Sequence, residues 1–201
     1  MLSPSLRAAL VEGGTLEITE PGESEDFGKD WLDPAALTHF GDREPTQPWT
    51  WDGPARRVTG RTWGGCIEVV QWILTAGRFP ADPGLEGGVL LLQTSEELIP
   101  ARDFGAILRA LGERGMLAAV AAVLVARPPT SDFECRPSSQ KRAALRAEQC
   151  DTAIRIVQRY NSEAVVCVGI AFGHTRPQWI LPYGGRITVD GRNHRVWAEY
   201  D

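Results

Sequence analysis

The chain has 201 residues, with 21 Lys+Arg against 26 Asp+Glu and a formal charge of −5, which excludes a nucleic-acid binder that gathers phosphates through an excess of cations. With 43% apolar and 23% charged residues the composition is globular rather than disordered or collagen-like, and a chain this long can bury a sizeable core. No apolar run approaches the roughly 20 residues that cross a bilayer, and the start has no basic stretch leading into an apolar run and a cleavage site, so no membrane partner and a cytoplasmic location are expected.

Residues 1–49 are rich in Gly, Pro, Asp and Glu and poor in apolar periodicity, and read as an arm ahead of a domain spanning 50–201. Within the arm, Ser3 and Pro4 suit the start of a short helix that stops at Gly13-Gly14, and 15–19 suits a strand. From Thr50 the punctuation becomes regular. Residues 56–62 read as a strand broken by Gly64-Gly65, and 66–76 as a helix with Ile67, Val70 and Leu74 on one side. The unbroken run Val89 to Gln93 suits a strand covered on both faces. Phe104, Ile107, Leu108 and Leu111 fall at i, i+3, i+4, i+7 and mark the clearest helix, closed by Gly115. Buried strands follow at 120–125 and 164–170, separated by a helix with Ala143, Ala147, Cys150, Ile154 and Val157 on one stripe. Residues 186–189 and 195–199 flank Asp190-Gly191 as a terminal hairpin. Alternating strands and helices of this kind predict an α/β layered fold.

Cys66, Cys135, Cys150 and Cys167 form no C-x-x-C pair and have no histidine at zinc-ligand spacing, so no metal or other cofactor is expected and the thiols read as reduced. Of the three histidines, His39 and His194 lie in polar settings and read as surface residues. His174 directly follows the strand ending near Ile170, where open α/β sheets expose their functional groups, and Gly173 lets the backbone turn there. A second strand end carries Gln93-Thr94-Ser95-Glu96-Glu97, in which the two acids read as solvating a loop. An acid at position 93 would orient the imidazole as in a hydrolase triad, but the residue is an amide.

Five blocks in order, Gly64-Gly65-Cys66-Ile67-Glu68-Val69, Gly88 to Glu97, Val123 to Pro128, Phe172-Gly173-His174-Thr175 and Pro182-Tyr183-Gly184, with Trp49-Thr50-Trp51 and Val58 to Arg61 upstream, resemble the C-terminal half of the LD-carboxypeptidases, which include the microcin C self-immunity peptidases. The resemblance implies a swivelling β/β/α-type layered domain. It also implies serine peptidase chemistry with a Ser-His-Glu triad, acting on L–D bonds of murein peptides in peptidoglycan recycling or on microcin-like peptidyl nucleotides. His174 takes the place of the triad base, Gln93 that of the triad Glu, and Gly64, Gly65 and Cys66 border the substrate.

Two departures shape the functional expectation. No glycine-flanked serine follows a strand anywhere in the chain, so the nucleophile is expected on a separate serine-bearing N-terminal domain, as in a truncated or split gene product, and the chain alone is expected to be inactive. Gln93 can accept a hydrogen bond but brings no charge to stabilise imidazolium. A second reading is a non-catalytic protein that binds peptides or nucleotide-like ligands. A third is a cysteine hydrolase using Cys66 and His174, with the thiolate favoured at a helix N-terminus. A homodimer stays open.

Overall fold

The computed structural model describes residues 3–79 and 85–201. Its strands are β1 (Gly14–Ile18), β2 (Glu23–Ser24), β3 (Glu44–Pro45), β4 (Thr50–Asp52), β5 (Arg57–Cys66), β6 (Val89–Gln93), β7 (Ala122–Ala126), β8 (Val165–Ile170), β9 (Arg186–Asp190) and β10 (Arg195–Tyr200). The α-helices are α1 (Pro4–Arg7), α2 (Ile67–Thr75), α3 (Ala101–Glu113), α4 (Met116–Ala119) and α5 (Ser139–Tyr160). Eight strands form one mixed sheet in the order β1-β10-β9-β5-β6-β7-β8-β4, and β2 and β3 pair separately.

The segment β5-β6-β7-β8 is parallel, each step crossed over by helical chain. The pleat sends alternate residues of these strands to opposite faces, and both faces are covered. Leu90, Leu92, Val123, Val125, Val166 and Val168 face Ile67, Val70 and Leu74 of α2, the predicted Phe104-Ile107-Leu108-Leu111 stripe of α3, and Ala153, Ile156 and Val157 of α5. Val89, Leu91, Ala122, Leu124, Val165 and Cys167 face the other way, against Ile187 and Val189 of β9, Val196, Ala198 and Tyr200 of β10, and Ile18 of β1. The sheet therefore curls so that its antiparallel end covers the face the helices leave open. The result is a layered α/β domain of helices, parallel strands and antiparallel strands, as expected.

β5 is the hinge of this arrangement. Its first half pairs antiparallel with β9, from Arg57 opposite Asp190 to Arg61 opposite Arg186. Its second half pairs parallel with β6, from Thr62 opposite Val89 to Cys66 opposite Gln93. The expected break at Gly64-Gly65 does not occur: the strand runs on through both glycines to Cys66. Gly64 has φ +139, and a Cβ there would lie 1.8 Å from the Leu91 carbonyl oxygen. A glycine lets the two backbones close up where any other side chain would separate them.

Residues 3–49 lie against these layers. α1 starts at Pro4 with the Ser3 side chain accepting from the Leu6 amide, and continues as π-helical chain from Ala8 to Glu12. β1 then pairs antiparallel with β10, Gly14 opposite Tyr200 and Ile18 opposite Val196. Further along, Asp26 is enclosed by cations and hydroxyls: Arg127 Nη1 donates to its Oδ1 at 2.5 Å and Arg146 Nη2 to its Oδ2 at 2.9 Å. The Thr130 amide and the Ser131 hydroxyl donate to Oδ2, each at 2.9 Å. Glu44 of β3 accepts from Arg127 and Arg142. These ties join the segment to the end of β7 and to α5. Among the described residues, no helix is long and apolar enough to cross a membrane.

Candidate functional site

The C-terminal ends of β5 and β6 and the turn that follows β8 meet at one cleft. Gln93 is the last residue of β6, paired with Cys66 at the end of β5. After β8 the chain turns at Gly173, φ +95, and brings His174 onto the side chain of Gln93, with His174 Nδ1 2.7 Å from Gln93 Oε1. A Cβ at position 173 would lie 2.5 Å from that same Oε1, so the glycine makes room for the pair.

The cleft encloses about 310 Å³ and is bordered by Gly65, Leu91, Gln93, Phe172, Gly173, Trp179, Leu181 and Tyr183. The structure thus brings Gly65, Gln93 and the turn carrying His174 together, with Gly64 one residue behind in β5. Its far wall is held from both ends of the chain. The Ser5 hydroxyl accepts from the Ile180 amide at 3.0 Å, Tyr200 donates to the Ile180 carbonyl at 2.5 Å, and the Trp179 indole donates to the Thr19 carbonyl at 2.9 Å.

Cys66 stands at the N-terminus of α2, and its thiol donates to Glu68 Oε2 at 2.9 Å. Burial first, and then the Glu68 carboxylate, push that thiol up to about 11. The helix N-terminus does not win here, because a carboxylate in the first turn faces the sulfur, and the expected thiolate at this position is not supported. Glu68 itself lies below the usual carboxylate range: burial works to raise it, but hydrogen bonds from Cys66, from its own amide and from Ser95 outweigh that. Ser95 donates to Glu68 Oε1 through both its hydroxyl, at 2.9 Å, and its amide, at 3.1 Å. This fixes the loop after β6, and Glu96 on that loop places Oε2 3.1 Å from His174 Nε2. Sequence reasoning took Glu96 for an acid solvating its loop and gave Glu68 no role of its own, since neither spacing nor composition tells which carboxylate turns toward the histidine.

The remaining histidines lie elsewhere. His39 is exposed with Nδ1 2.9 Å from the Thr38 hydroxyl, and His194 stacks on Trp51 with ring centroids 5.0 Å apart. All four cysteines are free thiols.

Residues 59–189 match the family model described as the LD-carboxypeptidase C-terminal domain. None of the curated proteins matches the chain. Among solved structures, an MccF-like protein from Streptococcus pneumoniae in complex with AMP is 21% identical over 93% of this chain and 53% of its own, with a TM-score of 0.71. An MccF-like protein from Bacillus anthracis str. Ames is 14% identical over 98% of this chain and 55% of its own, with a TM-score of 0.72. The microcin C7 self immunity protein MccF, in complex with aspartyl sulfamoyl adenosine, is 18% identical over 98% of this chain and 54% of its own, with a TM-score of 0.70. At these identities the structures speak for the fold, and the chain spans about half the length of each. With the family model covering residues 59–189 and the five motif blocks falling on β5, β6, β7, the His174 turn and the cleft wall, the chain belongs to the LD-carboxypeptidase C-terminal domain family.

Proposed function

We propose that residues 1–201 form the histidine-bearing half of a cytoplasmic serine-type LD-carboxypeptidase site, for L–D bonds of murein peptides or for peptidyl nucleotides, and that they do not turn over substrate by themselves. The observation that carries this reading is the 2.7 Å contact between His174 Nδ1 and the side chain of Gln93 at two strand ends bordering one cleft. In such a site a histidine takes the proton of a serine hydroxyl as it attacks the scissile carbonyl, and returns it to the leaving amine. A carboxylate on the second ring nitrogen stabilises the imidazolium formed in between. Gln93 can hold the ring in position but supplies no charge, and the motif reading finds no serine nucleophile in the sequence.

The test supplies a serine-bearing N-terminal domain from a family member, in trans or as a fusion, and measures release of the terminal D-residue from an L–D tetrapeptide. The expected outcome is no turnover by residues 1–201 alone, little with the added domain, and a rise toward four orders of magnitude when Gln93→Glu is combined with it. His174→Ala should abolish activity in every combination. Turnover by the unmodified chain alone would overturn the proposal.

A second reading, a ligand-binding protein without hydrolysis, is favoured by the amide at position 93 and the open cleft of about 310 Å³. AMP and an L–D tetrapeptide are suitable probes. Binding of either at micromolar concentration, with no activity in the reconstituted Gln93→Glu enzyme, would favour it.

A further inference from the structure

His174 touches an acceptor-capable group on each ring nitrogen, Gln93 on Nδ1 at 2.7 Å and the Glu96 carboxylate on Nε2 at 3.1 Å. The Glu96 oxygen therefore stands at Nε2, the nitrogen opposite Gln93 that a serine hydroxyl would have to face, and a carboxylate, which can only accept, is drawn to that nitrogen only when it carries a proton.

The posture of Glu96 is built into its loop. Ser95 is tied to Glu68 through both its amide and its hydroxyl, that hydroxyl also accepts from the Glu97 amide at 3.2 Å, and Leu98 adopts a left-handed φ of 53. Left-handed backbone is uncommon for a leucine, and the tightly turned loop directs the residue between Ser95 and Glu97 toward the histidine.

We propose that Glu96 closes His174: its carboxylate occupies the imidazole nitrogen that must face a nucleophile, so the histidine acts as a base only once the loop carrying Glu96 has moved aside. This rests on reading His174 as the base of the site. The pair is open to solvent, with side-chain exposures of 37% for His174 and 74% for Glu96, so the closure is shallow and reversible.

The test is the rate at which each histidine of the intact chain is carbethoxylated by diethyl pyrocarbonate at pH 8, read by mass spectrometry, with His39 as internal reference. Glu96→Ala should raise the ratio of His174 to His39 labelling about 2- to 5-fold, the range an exposed ion pair supports. Ser95→Ala, which releases the loop without removing the carboxylate, should raise it in the same direction, whereas Glu97→Ala should leave it unchanged. An unchanged or lowered ratio in Glu96→Ala would overturn the proposal, as would an equal rise in Glu97→Ala. The labelling requires no serine-bearing domain, so a failure here is separate from a failure of the reconstituted hydrolysis.

Discussion

At the scale of single residues, the site shows how neighbours override a position's usual chemistry. A cysteine at a helix N-terminus ordinarily gains thiolate character. Cys66 loses it, because it is partly buried and faces Glu68. At pH 8 a thiol that titrates at about 11 is ionised in about one molecule in a thousand. The expected outcome of iodoacetamide treatment is therefore alkylation first at Cys135, which is exposed, with Cys66 and Cys150 far behind and buried Cys167 last. Peptide mapping over time checks the order, and Cys66 labelled as fast as Cys135 would restore an activated thiol. The sequence made Gln93 and His174 legible as neighbours, since each follows a buried strand and matches a motif block. It read Glu96 only as solvating its loop, because the turn that aims it depends on Ser95 finding Glu68 from a different element.

At the scale of elements, the ion cluster around Asp26 fastens a loop-rich segment to α5 and to the end of β7. The Asp26 carboxyl lies below its ordinary range: burial would raise it, but Arg127 and Arg146, then the Thr130 amide, outweigh burial. A carboxylate whose folded pKa is depressed contributes stability that is fully present above its unfolded value, near 3.9, and is lost as pH falls through the folded value. Asp26→Asn leaves two buried guanidinium groups facing an amide, and should cost about 3–5 kcal/mol at neutral pH. That difference should shrink on acidification below about pH 4, where the parent carboxyl takes up its own proton. Urea titrations of both proteins at several pH values check this, and a pH-independent difference would contradict it. None of the cluster was legible in the sequence, because Asp26, Glu44, Arg127 and Arg146 carry no shared periodicity and meet only through tertiary contact. The covered strands β6, β7 and β8 and the α3 stripe were legible, because runs apolar on both faces and a four-position helical spacing are imposed by burial itself. The continuation of β5 past Gly64 was not, since glycine usually interrupts a strand and here permits a close approach.

At the scale of the whole molecule, residues 1–49 supply β1 to the edge of the sheet, Ala8, Ile18 and Trp49 to the apolar layer beneath β6 to β8, and Ser5 to the wall of the cleft. Their removal would expose that layer and free the Ile180 segment. The expected outcome is that residues 50–201 alone lose the cooperative thermal transition of the full chain, measured by circular dichroism. A sharp transition within a few degrees of the parent would show that the segment is dispensable to folding. The pairing of Gly14 with Tyr200 has a further consequence for how the protein comes into being. During synthesis β5, β6, β7 and β8 emerge in sheet order and can zip together as each crossover is completed, while β1, made before all of them, has no strand to pair with until β10 has left the ribosome. For that interval the unpaired backbone of β1, with Leu16 and Ile18 that later pack into the apolar layer, stands exposed on the nascent chain.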